Sequence, residues 1–212
     1  MIIAIDGPAG SGKSTIAKRI AKELGFYFLN TGSFYRAVTY YHLKHHGNID
    51  NANELIESAE NANIEIVNSR IVLDKEDVND FLHTKDIDLN ASYVSSNVKV
   101  REIVTDKLRV IAGNMDIVTE GRDTTTVIFP NAEHKFYFDA DLTVRATRRL
   151  EEQSGNTNLD SVKSLIAKRD ANDRNKEVGA LKIAKDATVI DTSYLTINEV
   201  CAKVSIVLLE NL

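Results

Sequence analysis

Apolar residues in this chain fall into two alternating patterns. Ile2-Ile3-Ala4-Ile5 is a short, wholly apolar run, the pattern of a strand buried on both faces of a parallel sheet. A Gly-rich turn follows. Ile16, Ile20 and Leu24 then recur at helical spacing across Lys13 to Leu24, and Gly25 stops the run. Phe26 to Leu29 predicts a second buried strand, and Ser33 to His46 a helix ending at Gly47. Strand and helix in alternation predict an α/β domain with a parallel sheet.

Past residue 47 the alternation breaks. Asn53 to Asn61 reads as a helix. Ile64-Glu65-Ile66-Val67 and Ile71-Val72-Leu73 flank Asn68-Ser69-Arg70, which predicts a small antiparallel hairpin. An insertion is therefore placed at about 48–95. A helix over Val98 to Ala112, closed by Gly113-Asn114, returns the chain to the sheet. Strands at Ile117 to Thr119, Lys135 to Phe138 and Thr188 to Ile190 bring the sheet to five, and an amphipathic helix spans Thr196 to Leu209. The expected layout is one domain, with a core of 1–47, 96–145 and 177–212. The insertion and a short helical lid at about 146–176 complete it.

Composition narrows the class. A chain of 212 residues supports one core with an insertion and not two full domains. Two prolines, no tryptophan and no low-complexity tract argue against disordered linkers. The net charge of -5 is the wrong sign for a non-specific nucleic-acid binder. Cys201 is the lone cysteine, so an intramolecular disulfide and a thiolate metal site are excluded. No stretch approaches the ~20 apolar residues that span a bilayer. The run Ile2 to Ile5, ended by Asp6, is too short for a signal peptide. The expectation is a cytoplasmic monomer acting on small molecules, away from membranes and nucleic acid.

Gly7-Pro8-Ala9-Gly10-Ser11-Gly12-Lys13-Ser14 fits G-x-x-x-x-G-K-[ST], with an apolar strand before it and a helix after it. The glycines let backbone N–H groups turn towards phosphate oxygens. The helix N-terminus adds positive partial charge at the same spot. Lys13 places an ammonium near the β- and γ-phosphates of a nucleoside triphosphate, and Ser14 offers a hydroxyl to Mg²⁺.

Two further segments sit where open α/β sheets bind ligands, at strand C-termini. Asn30 to Arg36 enters a helix and offers Thr31, Gly32 and the forked cation of Arg36. Glu120-Gly121-Arg122-Asp123 follows the third core strand. Arg145, Arg148 and Arg149 share a helix face, and a turn is expected at Gly155-Asn156-Thr157-Asn158. In the stretch Lys168 to Lys176, Arg169 with Asp173 and Asp170 with Arg174 stand at i, i+4. Solvated, salt-bridged helices are the plain reading of that region. Beside a phosphate loop, an Arg-rich helical pair is also a candidate lid. His42, His45 and His46 share a face at a helix end, which reads as a solvated terminus ahead of a metal site.

These residues leave three classes open: a small-molecule kinase, a nucleotide switch, and a nucleic-acid-dependent ATPase. The guanine signature N-K-x-D of GTPase switches is absent, since Asn175-Lys176 leads to Glu177-Val178. The acidic balance disfavours the ATPase.

Taken together, the motifs resemble the bacterial cytidylate kinases almost end to end. The resemblance rests on Ile5 to Thr15, Thr31-Gly32 with Tyr35-Arg36, and Val100-Arg101. It continues through Glu120 to Asp123 with Thr126-Val127 and Phe129-Pro130, and Lys168-Arg169-Asp170 with Asp173-Arg174-Asn175. Glu76-Asp77-Val78 matches the longer bacterial insertion. The resemblance implies a P-loop nucleoside monophosphate kinase fold: a five-stranded parallel sheet flanked by helices, a small antiparallel β insertion and a short helical lid. It implies transfer of phosphate from ATP, with Mg²⁺, to CMP and dCMP. Residues 7–15 and Arg148 would bind ATP, with Ser14 on the metal. Thr31, Arg101 and Asp123 match positions that read cytosine. Tyr35, Arg36 and Arg122 match positions around the acceptor phosphate. Arg169 and Asp173 match positions at the sugar. Lys13, Arg122, Arg169 and Arg174 would balance the migrating charge. Either Asp6 or Asp123 would support the Mg²⁺ shell. Four residues depart from the family pattern: Asn30 for Asp, His83 for Arg, Thr125 for Gly and Lys176 for Arg.

Overall fold

A computed structural model describes residues 1–67, 70–113, 115–152 and 158–210. Asn68, Ser69 and Asn114, and residues 155–157 of the expected lid turn, lie outside the described residues. In chain order the elements are β1 (Ile2–Asp6), α1 (Lys13–Leu24), β2 (Tyr27–Asn30), α2 (Thr31–His45), α3 (Ala52–Asn61), β3 (Ile64–Val67), β4 (Arg70–Leu73) and β5 (Glu76–Asp77). There follow α4 (Lys85–Val94), α5 (Val98–Ala112), β6 (Ile117–Gly121), β7 (His134–Asp139), α6 (Leu142–Glu152), α7 (Leu159–Arg174), β8 (Thr188–Asp191) and α8 (Ile197–Glu210). Two compact units result, 1–28 with 116–212, and 29–115.

The first unit is organised around a sheet of order β2-β6-β1-β7-β8. β1 runs parallel to both β6 and β7, and β7 parallel to β8. β1 is thus a central strand, and its apolar run is needed because Ile3, Ala4 and Ile5 have no exposed surface. Of the three periodic residues of α1, Ile16 and Ile20 pack with Ile3, Ile5, Phe136, Phe138 and Val204 of α8 in one cluster, while Leu24 in the last turn is exposed. Each fully buried Phe side chain there contributes about 1.5–3 kcal/mol.

One element of this unit carries no apolar periodicity and was not anticipated. Thr124–Ile128 forms a π-helical turn after β6. The Asp123 carbonyl accepts from Val127 N–H at 2.8 Å and Ile128 N–H at 3.1 Å. The turn is pinned by Asp6 at the end of β1. Its carboxylate accepts from Thr124 N–H at 2.9 Å, Thr125 N–H at 2.7 Å and the Thr125 hydroxyl at 2.6 Å. Burial pushes the Asp6 carboxyl up, against the pull of those same hydrogen bonds. Asp6 is therefore committed to the turn.

The second unit buries Phe34, Val38, Leu55, Val104 and Leu108 among α2, α3 and α5. α2 starts two residues earlier than the pattern predicts, because the Asn30 side chain caps it by accepting from Ser33 N–H at 3.1 Å. The expected hairpin is a three-stranded antiparallel sheet, β3-β4-β5. The extra turn places Asp74 at φ 50° and Lys75 at φ 72°. Two successive positive φ values join β4 to β5 without Asn-Gly, which is why no turn signal marked it. α4 was also unpredicted; it buries only Ile87 and Val94. His42 is not a solvated residue: it is fully buried, with Nδ1 2.9 Å from Ser58 Oγ and Nε2 2.6 Å from the Asn48 carbonyl oxygen. Among the described residues no cluster of three or more His, Cys, Asp or Glu side chains is placed to hold a metal. No described helix is long and apolar enough to cross a membrane.

Thr125→Val keeps the shape of the side chain but removes its hydroxyl from the buried Asp6 carboxylate. The expected cost is about 1.5–3 kcal/mol, read as a lower urea midpoint with unchanged slope.

Candidate active site

The Gly-rich segment joins β1 to α1 within the first unit, and its conformation is dictated by crowding. Gly7 sits at φ 151°, and a Cβ there would lie 2.0 Å from the Phe138 carbonyl oxygen, so no other residue fits. Gly12 takes φ 86° at the N-cap of α1, where no side chain caps the helix. The first N–H groups of α1 are left for a ligand, at the positive end of the helix dipole. Pro8 and Ser11 are buried, Ala9 and Gly10 half-buried, and Thr15 exposed.

Lys13 is buried and donates to the Pro8 carbonyl at 2.8 Å. Burial pulls its ammonium down to about 7, with Arg122 and Arg169 adding to the effect against the carboxylate of Glu120. The Ser14 hydroxyl donates to Glu120 Oε1 at 2.8 Å. Glu120 is in β6, the strand itself, and not in the loop beyond it; its register partner is Ile5. An acid following the apolar start Ile117-Val118 of a strand buried throughout was the available signal for this contact. Of the two carboxylates expected near a metal, Asp6 accepts from Thr124 and Thr125, and Asp123 is buried beside Arg122 in sequence.

Arg122 follows directly. Its Nε donates to Asp173 Oδ2 at 2.8 Å, and Nη1 to the Gly121 carbonyl at 3.2 Å. Burial alone would lower the Arg122 guanidinium, but Asp173 and Glu120 outweigh it and hold the charge more firmly. Asp173 is in turn moved below the ordinary carboxylate range: Arg122 and Lys176 outweigh its burial. Lys176 Nζ lies 3.0 Å from the other oxygen of Asp173. Asp123 is 3% exposed beside this pair in sequence. Arg169, on α7, is near enough to depress both Lys13 and Asp173.

The plain reading of α6 and α7 as solvated, self-paired helices does not hold. Asp170 and Asp173 are buried, and each also has an ion-pair partner outside the expected i, i+4 set. Asp170 binds Arg145 of α6 at 2.6 Å, and Asp173 binds Arg122. Arg148 reaches Thr192, with Nη2 2.6 Å from its carbonyl oxygen and Nη1 3.2 Å from its hydroxyl. Thr192 donates to the Ser11 carbonyl of the loop at 2.9 Å. Arg149 is exposed and pairs with Glu152. Arg174, at the end of α7, bonds the Tyr137 hydroxyl.

The second unit carries Thr31, Tyr35, Arg36 and Arg101. Thr31 and Tyr35 are buried on α2. The Arg101 guanidinium lies 5.2 Å from the centroid of the Tyr35 ring and donates to the Ser95 carbonyl at 2.8 Å. Arg36 donates to Asp88 of α4 through Nε at 3.1 Å and Nη2 at 3.0 Å. Sequence reading missed Asp88 because α4 gave no pattern to place it.

Known proteins add identity to this geometry. A profile of the cytidylate kinases matches residues 3–209. A cytidylate kinase of Thermodesulfovibrio yellowstonii is 44% identical, covering 98% of this chain and 96% of the relative. One from Clostridioides difficile is 40% identical with 96% of each covered. Among solved structures, a shikimate kinase from Bacteroides thetaiotaomicron superposes with a TM-score of 0.51 at 12% identity, covering 98% of each chain. At that identity only the fold is shared.

The Lys13 value sets a pH dependence. A neutral amine cannot balance phosphate charge, and a bound triphosphate raises the pKa of an ammonium beside it. Between about 7 and the bound value, binding takes up a proton. ATP affinity is expected to be flat below about 7, to fall by up to about tenfold per pH unit within that range, and to level off above the bound value. Calorimetry in buffers of different ionisation enthalpy measures the uptake. Lys13→Arg, always charged, should lose it.

Proposed function

This chain belongs to the cytidylate kinase family, and we propose that it moves the γ-phosphoryl group of ATP in line onto the phosphate of CMP and dCMP, giving CDP and dCDP. The observation that carries the reading is the donor cradle. Within one unit, Lys13 and Ser14 open α1, Glu120 holds the Ser14 hydroxyl at 2.8 Å, and Arg122 stands two residues on.

The acceptor is already anionic, so the reaction needs no strong general base. What remains is positioning and charge balance. The Gly7–Ser14 backbone and Lys13 hold the β- and γ-phosphates, and Lys13 leaves the Pro8 carbonyl to do so. The Ser14 hydroxyl and the Glu120 carboxylate are oxygen donors that fit a hard cation; Mg²⁺, when bound with ATP, supplies neutralising charge across the phosphates. Arg122, Arg169 and Arg174 balance charge on the migrating group, and Arg148 serves ATP. Arg122, fixed by Asp173, also orients the acceptor phosphate together with Tyr35 and Arg36. Asp123 accepts from the exocyclic amine of cytosine, a donor that uracil lacks. Thr31 and Arg101 complete the base contacts, and Arg169 with Asp173 holds the sugar. The lone Cys201 fits a reducing, cytoplasmic compartment, and the acidic charge balance fits work on free nucleotides and not on nucleic acid.

ADP release with ATP and CMP, dCMP, UMP, AMP or GMP tests the reaction. Preference for CMP and dCMP is expected, and acceptor-independent hydrolysis would refute it. Lys13→Ala should cut turnover by about a hundredfold or more. Asp123→Ala should raise KM for CMP much more than KM for ATP; equal effects would remove Asp123 from base recognition.

A further inference from the structure

The phosphate loop is gripped from outside by a charged pair that neither strand nor loop supplies. Arg145 of α6 is 5% exposed and Asp170 of α7 is 2% exposed. Arg145 Nη1 donates to Asp170 Oδ2 at 2.6 Å and to the Ala9 carbonyl at 3.0 Å. Asp170 Oδ1 accepts from Ala9 N–H at 3.3 Å. Arg145 Nε is tied to the Ala140 carbonyl at 2.9 Å, ahead of α6. One ion pair therefore holds both backbone groups of a single loop residue.

Packing points the same way. The Ala9 side chain joins the small core of the helix pair, Ala146, Val162 and Ile166. A Cβ on Gly10 would lie 3.0 Å from Arg145 Cβ and 3.0 Å from its carbonyl oxygen, so α6 is in direct contact with the loop. Arg148, one turn along α6, supports the loop again through Thr192 and the Ser11 carbonyl.

We propose that Arg145 and Asp170 are a positioning pair for the donor site. They set the direction of the peptide groups at Ala9, and with it the curvature that aims the N–H groups of the following glycines at phosphate. The chemistry favours this over simple stapling of two helices. A buried ion pair adds little net stability over apolar side chains of similar volume, so stability alone is a weak reason to bury one. The charged donor and acceptor together satisfy the Ala9 carbonyl and N–H at one point, with hydrogen bonds stronger than neutral side chains would make. The inference rests on reading residues 7–14 as the triphosphate loop.

Arg145→Met with Asp170→Leu tests it. The apolar pair should leave a folded protein of comparable thermal midpoint, because the desolvation cost of the charges is removed with them. The Ala9 groups lose their partners, so KM for ATP should rise about tenfold or more while KM for CMP changes less than about threefold. A folded double variant with KM for ATP and kcat within about twofold of the unmodified protein overturns the proposal. Should the double variant not fold, Asp170→Asn keeps the shape and removes the charge. It is held to the same split between the two KM values. Failure of the unmodified protein to bind ATP would instead refute the loop reading itself.

Discussion

The carboxylate of Asp6 lies at the end of the central strand with no exposed surface, and three donors from Thr124 and Thr125 converge on it. An isolated buried carboxylate costs several kcal/mol unless its lone pairs are satisfied. Satisfying this one forces the chain after β6 into a π-helical turn. Because β1 and β6 are register neighbours, with Asp6 opposite Gly121, the same constraint places Glu120, Arg122 and Asp123 next to the loop that begins at Gly7.

Around that anchor the acids divide their work. Asp170 holds the Ala9 peptide group and Arg145. Asp173 holds Arg122 and Lys176. Glu120 holds the Ser14 hydroxyl. A chain with net charge -5 can therefore build a cationic centre, because buried carboxylates fix Arg122, Lys176 and Arg145 by charge-assisted hydrogen bonds. Lys13 is held differently. It has a carbonyl for a partner and is depressed by its burial, so it is the cation most responsive to an arriving anion.

The departures from the family pattern acquire physical meaning. Thr125 adds a hydroxyl donor to Asp6 that a glycine cannot supply. Asn30 caps α2, a task an amide does as well as a carboxylate. Lys176 replaces a forked donor with a point charge, which suffices for a single oxygen of Asp173. Nothing in the structure explains His83.

Much of the fold was legible because its signals are local. The bounds of α1 and α5 follow from apolar spacing and the glycines behind them, and β1 from an apolar run that only a central strand requires. The phosphate loop was legible because its glycines and Lys13 answer to one ligand geometry. The turn at Thr124–Ile128, the β4–β5 turn and α4 were not. The first is made by an acid 118 residues away from Thr124, and the second by positive φ at residues that rarely adopt it. Sequence alone thus determined which residues are apolar, which are charged, and where the Gly-rich turn between β1 and α1 falls. Only the tertiary structure decided which carboxylate serves which cation. Spacing along α7 offered each acid only partners on its own helix, but burial also brings Arg145 of α6 to Asp170 and Arg122, beyond β6, to Asp173, because a desolvated charge favours a close counter-charge.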